Sequence, residues 1–159
     1  MSATARSVGS VNDGVLYVAF ELAKRQWKLA LTSGFGVAAI VRTVTSADWA
    51  GVAGALAAAR RQFQLAADAP VISCYEAGRD GFWIHRALVT RGITNRVVDS
   101  SSIDVKRRSR RMKTDRIDAI KLVHMLVRAC ASHAWRQRGV WKIVGRERKD
   151  CSTRRLPAL

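Results

Sequence analysis

The chain has 159 residues, 48% of them hydrophobic, which is enough for one globular domain with a sizeable core. No uninterrupted apolar run reaches the roughly 18 residues that a membrane span needs, and the N-terminus lacks the apolar segment of a signal peptide. We therefore expect a cytoplasmic protein that does not enter a membrane.

The net charge is strongly positive and unevenly distributed. The chain has 28 Lys and Arg residues against 12 Asp and Glu residues, a formal net charge of +16. Residues 101–159 hold 17 of these basic residues and 5 of the acids, whereas residues 1–100 hold 11 and 7. Such clustering is typical of a surface that binds nucleic acid, and an anionic membrane surface is the weaker alternative.

The hydrophobic pattern predicts five strands and three helices between a disordered leader at residues 1–14 and an unpacked basic tail at 145–159. The first three strands follow one another so closely that they predict an antiparallel meander. The later strands alternate with helices, which predicts parallel crossover connections. We predict strands at 16–23, 26–33 and 37–46, a helix at 47–66, a strand at 71–77, a helix at 78–92, a strand at 94–101 and a helix from about 115.

Local signals support these helices. Ser46 can cap the start of the helix at 47–66, and Gly92 is suited to end the helix at 78–92. The resulting order β-β-β-α-β-α-β-α predicts an α/β fold with a mixed sheet flanked by helices. This order matches the ribonuclease H-like layout.

Two aspartates directly follow a basic cluster. Asp115 and Asp118, in the run KTDRIDA, come just after KRRSRR at residues 106–111. Carboxylates repel phosphates unless a divalent cation lies between them, so this junction favours metal-assisted chemistry on nucleic acid. The alternative is a capped helix start, with Asp115 as N-cap and Asp118 three residues later.

Two further acids lie near predicted strand ends. Glu21 is near the end of the first strand and Glu76 is at the end of the fourth. Because α/β sheets bind ligands at the carboxyl ends of their strands, both acids can converge with Asp115 and Asp118. As alternatives, Glu21 can simply face solvent, and Glu76 can be a loop acid or a helix cap.

The basic cluster is the predicted phosphate-binding region. So many cations at close spacing repel one another unless a polyanion neutralises them, and the alternative is a solvated charged loop. The predicted nucleic-acid-binding residues are Lys106, Arg107, Arg108, Arg110, Arg111, Lys113 and Arg116.

The remaining reactive or aromatic residues favour structural roles. His85 and His124 have no acid at a metal-ligand spacing, so we expect ordinary structural histidines. The three cysteines form no C-x-x-C pair, which predicts reduced thiols without structural zinc. The tryptophans are expected to pack in the core or in an interface rather than to stack on bases. These residues are Cys74, Cys130, Cys151, Trp27, Trp49, Trp83, Trp135 and Trp141.

Four segments resemble a known family: VAFELAK, CYEAGRDGFWIHRAL, VVDSSSIDVKRRSRRMKTDRIDAIKL and VWKIV. Over residues 16–144 the chain resembles the N-terminal domain of the DEDD-type insertion-sequence transposases, which include the pilin-gene invertases. That domain is similar to the RuvC Holliday-junction resolvase. The resemblance implies a RuvC-like domain at residues 15–144.

The family carries a catalytic tetrad of Asp, Glu, Asp and Asp. Matched position by position, the resemblance implies Glu21, Glu76, Asp115 and Asp118 as catalytic residues and as ligands for one or two Mg²⁺ or Mn²⁺ ions. Glu21 stands where the family usually has Asp, and its extra methylene can displace a bound metal.

The implied activity is DNA cleavage and strand transfer at insertion-element ends. The implied partners are a structured guide RNA and further transposase subunits, which are either copies of this chain in a homo-oligomer or intact transposase subunits. Family members continue into a domain with a serine nucleophile, whereas beyond Val144 this sequence no longer resembles them. We therefore expect a truncated domain, with weak metal-dependent nicking at most and no strand transfer alone. The alternatives are a non-catalytic nucleic-acid-binding or transposase-interacting module and, third, a Mg²⁺-dependent nuclease or junction resolvase.

Overall fold

A computed structural model of the chain describes residues 14–77, 82–98 and 115–131, with only the backbone described at Asp115. Within these ranges the elements follow the predicted order β-β-β-α-β-α-β-α. The predicted tail at 145–159 and all but the last residue of the predicted leader lie outside the described residues. The elements are β1 (Leu16–Leu22), β2 (Gln26–Thr32), β3 (Ile40–Thr45), α1 (Trp49–Gln62), β4 (Val71–Glu76), α2 (Trp83–Thr90), β5 (Thr94–Val98) and α3 (Asp115–Ala131).

The five strands form one mixed sheet in the order β3-β2-β1-β4-β5. β1, β2 and β3 pair antiparallel, which confirms the predicted meander. β4 pairs parallel with β1, and β5 pairs parallel with β4, as crossover connections through helices require. The central strand β1 is buried over its first five residues because helices cover both faces of the sheet.

The two faces of the sheet carry separate hydrophobic cores. On one face, called here the α1/α2 face, α1 and α2 cover large side chains such as Phe20, Trp27 and Tyr75. On the other, the α3 face, α3 covers smaller side chains such as Ala19 and Ala30. Successive residues of a strand point to opposite faces, so the face of each strand residue follows from its register.

The start of α1 corrects one prediction. The N-cap is Asp48 rather than Ser46, and the Asp48 carboxylate accepts a hydrogen bond of 2.9 Å from the Gly51 backbone N–H. The chain first makes a turn, in which the Asp48 N–H donates to the Thr45 carbonyl and Ala47 adopts a left-handed φ of 61°. Because of this turn the helix begins two residues later than predicted. Asp48 is then the residue whose polar side chain lies beside the unpaired backbone N–H groups of the first helical turn.

Both helices on the α1/α2 face end in the same hydrogen-bonded turn. After α2, Gly92 has a φ of 75°, its N–H donates to the Val89 carbonyl, and the Ile93 N–H donates to the Leu88 carbonyl. This is the Schellman arrangement, and it confirms Gly92 as the residue that ends α2. After α1 the same pair of bonds forms around Gln64, a non-glycine residue with a φ of 55°.

A polar chain joins α2 to the two strands beneath it. The buried Ser73 hydroxyl lies 2.7 Å from the Asn95 side-chain oxygen, and the Asn95 amide nitrogen lies 3.0 Å from Nδ1 of His85. If the amide donates, His85 accepts at Nδ1, which fixes the ring orientation. His85 therefore has the structural role that its sequence context predicts.

Candidate functional site

Two of the four predicted acids lie side by side at the carboxyl ends of β1 and β4. The parallel register pairs Ala19 with Cys74 and then Phe20 with Tyr75, and Glu21 and Glu76 are the next residue on each strand. Neighbouring strands are about 4.8 Å apart, so the backbones of these two acids are adjacent. Both side chains are half-buried.

Strand alternation assigns both acids to the α3 face. Ala19 and Cys74 belong to the core under α3, and Glu21 and Glu76 each lie two residues further along the same strand. Glu76 would be excluded from a common site if it faced α2 instead. Glu21 is half-buried, which differs from the alternative of a fully solvent-facing side chain.

The third acid comes from α3, which packs against β1, β2 and β4. Asp118 is half-buried and precedes Ala119, which is fully buried. One turn later, the Leu122 carbonyl oxygen lies 4.0 Å from Sγ of Cys74, two residues before Glu76. Asp118 therefore belongs to the same side of the sheet as Glu21 and Glu76.

Asp115 is the first residue of α3, as the predicted helix start requires. Its position fits both the metal-ligand interpretation and the capped-helix alternative, because a carboxylate in the first helical turn also interacts favourably with the helix dipole. Its side chain lies outside the described part of the molecule. Among the side chains that are described, no group of three or more His, Cys, Asp and Glu residues is arranged to hold a metal ion. The catalytic and metal-binding roles of the tetrad remain predictions.

Basic side chains share the face of the acids. Lys28 on β2 is the cross-strand partner of Glu21, and Arg96 on β5 is the partner of Cys74. Both are half-buried, and both take part in interactions within the protein. Cys74 is fully buried beneath α3, and this burial, with a smaller contribution from Cys130, raises the pKa of its thiol.

Neither Lys28 nor Arg96 was singled out from the sequence. The alternation of QWKLALT contains a signal for Lys28, because Trp27 and Leu29 are apolar and the residues between them must face the opposite side. The pairing of Arg96 with Cys74 depends on the order of strands in the sheet, which the local sequence does not contain.

The predicted phosphate-binding cluster is described at one residue. Arg116 is exposed in the first turn of α3, where its side chain is available to a polyanion. Lys106, Arg107, Arg108, Arg110, Arg111 and Lys113 lie outside the described residues.

An aromatic cluster lies at the same end of the sheet on the α1/α2 face. The Trp27 ring centroid is 5.4 Å from that of Trp49 and 6.2 Å from that of Trp83. Trp27 is almost fully buried, as predicted. Trp83 is 42% exposed, and a purely internal packing role does not explain this exposure. Trp135 and Trp141 are outside the described ranges.

Two of the three cysteines lie in the described part of the chain. Cys74 and Cys130 are free thiols, and Cys151 is outside the described ranges. Within the described helices, none is long and apolar enough to cross a membrane.

Comparison with known proteins gives one informative similarity. Over 120 residues the chain is 38% identical to a Sinorhizobium fredii (strain NBRC 101917 / NGR234) protein named "Putative transposase y4rJ". The alignment covers 74% of this chain and 30% of that relative, so the chain spans about three tenths of the relative's length. No family model matches the chain.

Proposed function

We propose that residues 15–144 form the RuvC-like, ribonuclease H-like catalytic domain of a DEDD-type transposase that acts on DNA at insertion-element ends. The observation that carries this proposal is the register of β1 and β4, which puts Glu21 and Glu76 next to each other on the face that α3 covers with Asp118. The element order, the mixed sheet and the similarity to a protein named as a transposase support it.

The donor chemistry suits a hard divalent cation. Carboxylate oxygens are the ligands that Mg²⁺ and Mn²⁺ prefer, and the tetrad of Glu21, Glu76, Asp115 and Asp118 would supply them. One or two such ions polarise a scissile phosphate and stabilise charge on the attacking and leaving oxygens. Sequence position alone assigns Asp115 to this set.

The chain's own residues would orient and hold the substrate. Glu21 and Glu76 are anchored on paired strands, which limits the movement of their carboxylates. Lys28 is beside Glu21 and can orient its carboxylate or bind a phosphate oxygen. Arg116, with the basic cluster before it, would bind the phosphate backbone of DNA or of a structured guide RNA. Assembly with further transposase subunits belongs to the same proposal.

Metal-dependent stabilisation tests the proposed site. Addition of Mg²⁺ or Mn²⁺ at about 100 times the dissociation constant should stabilise the fold by about 2.7 kcal/mol, seen as a rise in the melting temperature. Asp115→Asn combined with Asp118→Asn should remove most of this response. The matched control is Asp68→Asn, because Asp68 is an exposed acid on the connection between α1 and β4.

The proposal fails if the double variant responds to metal like the parent chain, because the ion would then bind elsewhere. A parallel assay of Mg²⁺-dependent nicking on supercoiled DNA reports the chemistry itself. Loss of nicking in Glu76→Gln, with the control variant unchanged, is the expected result.

A non-catalytic nucleic-acid-binding module is the second candidate. It is favoured by Lys28 and Arg96, which share the face of Glu21, Glu76 and Asp118 and can balance their charge without a metal. This candidate predicts binding to DNA that weakens with salt, no metal-dependent rise in melting temperature and no nicking.

A further inference from the structure

The end of the sheet that carries Glu21 and Glu76 also exposes aromatic rings. Trp83 is 42% exposed and Phe82 is 39% exposed, at the start of α2. Large aromatic side chains are normally mostly buried, because each removes a large apolar area from water. Two neighbouring exposed rings are therefore unusual for residues of this type.

Packing behind the surface holds one of these rings in place. Trp83 contacts Trp49 with a centroid distance of 6.2 Å and an interplanar angle of 85°, and it contacts Trp27 at 6.2 Å and 42°. Trp27 in turn packs against Phe20 in the core. A ring supported in this way loses little conformational entropy when a ligand stacks on its open side.

One basic side chain contacts the aromatic cluster, and further basic residues lie nearby in the fold. The Arg91 guanidinium lies 4.3 Å from the centroid of the Trp49 ring. Arg86 is exposed, and it lies one helical turn after Phe82 on the same side of α2. The exposed residues Lys24 and Arg25 form the turn between β1 and β2, and the Arg25 carbonyl accepts a hydrogen bond of 3.0 Å from the Ser46 N–H, close to Trp49.

The acid that precedes Trp49 is engaged within its own helix. Asp48 precedes Trp49, and its carboxylate caps α1 through the Gly51 N–H. The surface defined by Phe82, Trp83, Arg86 and Arg91, called here the aromatic-basic surface, therefore combines exposed rings with positive charge. This combination is the one that binds single strands, in which the bases stack on rings and the phosphates pair with cations.

We propose that the aromatic-basic surface binds unpaired nucleotides of a single-stranded nucleic acid, with Trp83 and Phe82 stacking on the bases. Duplex bases already stack on each other, so duplex DNA cannot use the rings in this way. The cations distinguish this ligand from an uncharged apolar protein surface, which would gain nothing from them.

The surface is close to the acids of the proposed site. Trp27 is the cross-strand partner of Leu22, which directly follows Glu21 on β1. The aromatic cluster and the acids thus lie on opposite faces of one end of the sheet. The binding proposal stands on its own, but its role in presenting an opened strand to the acids rests on the function proposed above.

Binding of a fluorescein-labelled oligothymidylate by the full chain, followed by fluorescence anisotropy in EDTA, tests the inference. Trp83→Ala should weaken binding at least about fivefold, since stacking contributes about 1–3 kcal/mol per base. Trp83→Phe keeps a ring and should retain most of the affinity. Phe35→Ala is the matched control, because Phe35 is 47% exposed but follows the opposite end of β2.

Binding of a labelled DNA hairpin with a fully paired stem separates stacking from misfolding. The inference is supported if Trp83→Ala weakens oligothymidylate binding and leaves hairpin binding and the circular dichroism spectrum unchanged. Equal losses on both ligands, or unchanged oligothymidylate binding, would overturn it, and the latter would assign the rings to a protein contact.

The anisotropy measurement does not depend on the proposed catalytic function. EDTA removes any contribution of a metal, so a failed metal response in the acid variants leaves the anisotropy result standing. Conversely, a metal response that depends on Asp115 and Asp118, without a Trp83 effect on oligothymidylate, would overturn only the aromatic-basic surface.

Discussion

The two faces of the sheet are built in different ways. The α1/α2 face buries large side chains, among them Trp27, Phe20 and Tyr75. The α3 face has small side chains such as Ala19 and Ala30 on its central strands, alongside the larger Tyr17. Large residues keep helices at a distance from a sheet, whereas small residues allow the helix backbone to approach it.

The close approach on the α3 face is visible at Cys74, whose sulfur lies 4.0 Å from the Leu122 carbonyl oxygen. It brings Asp118, at the start of the same helix, to the face that carries Glu21 and Glu76. On the other face, the stack of large rings reaches the molecular surface and ends in the exposed Trp83. Side-chain size thus separates a face suited to clustered charges from one suited to exposed rings.

Removal of the largest buried ring should have the largest effect. Trp27 is 1% exposed and packs against Phe20, Trp49 and Trp83. Trp27→Ala leaves a cavity on the α1/α2 face and should lower the free energy of unfolding by about 3–5 kcal/mol, as measured by urea denaturation. A loss below about 1 kcal/mol would show that the rings do not form a packed unit.

The α3 face should instead be sensitive to added volume. Ala30 is fully buried between β1, β3 and α3, so Ala30→Leu should push the helix away and cost about 1–3 kcal/mol. Ala50→Leu on the exposed side of α1 is the control and should change stability little. Equal stabilities of the two variants in urea would contradict a tightly packed α3 face.

Much of this architecture could be predicted because local patterns determine it. Strand positions follow from the apolar runs, and the end of α2 follows from Gly92. The sequence of β1, LYVAFEL, does not show which face each residue occupies, because both faces of a central strand are buried. The predicted third strand also began too early, since residues 34–39 form a turn in which the Val37 N–H approaches the Gly34 carbonyl.

The candidate site depended more on tertiary structure. Glu21 and Glu76 could be assigned to strand ends from the sequence, but their common face requires the parallel register of β1 and β4. The pairing of Lys28 with Glu21 requires the hairpin register in the same way. The exposure of Trp83 could not be predicted, because an indole side chain in an amphipathic helix is normally predicted to lie in the core.

Two glycines of α1 should respond oppositely to a methyl group. Gly54 has open space at its Cβ position, so Gly54→Ala should stabilise the helix by about 1 kcal/mol through helix propensity. A Cβ on Gly51 would meet the Asp48 carboxylate, so Gly51→Ala should displace the N-cap and offset that gain by about 0.5–2 kcal/mol. Thermal denaturation that gives both variants the same melting temperature would show that the Asp48 cap contributes little.

The smallest expected effect compares the two helix ends on the α1/α2 face. Gln64 and Gly92 occupy the same left-handed position of the same turn, and such a φ is costly for a residue with a Cβ. Gln64→Gly should therefore raise the free energy of unfolding by about 0.5–1 kcal/mol, after the entropy that glycine adds to the unfolded chain is subtracted.

The reciprocal change isolates the backbone contribution. Nothing lies near the position of a Cβ on Gly92, so the cost of Gly92→Ala, about 1 kcal/mol, comes from its φ of 75° and not from a clash. Gln64→Ala keeps a Cβ at the strained position and serves as the control without a gain. Urea denaturation should rank Gln64→Gly above the parent chain and Gly92→Ala below it. If Gln64→Gly is no more stable than Gln64→Ala, the turn after α1 is held by the burial of its neighbours Phe63 and Leu65 rather than limited by its backbone.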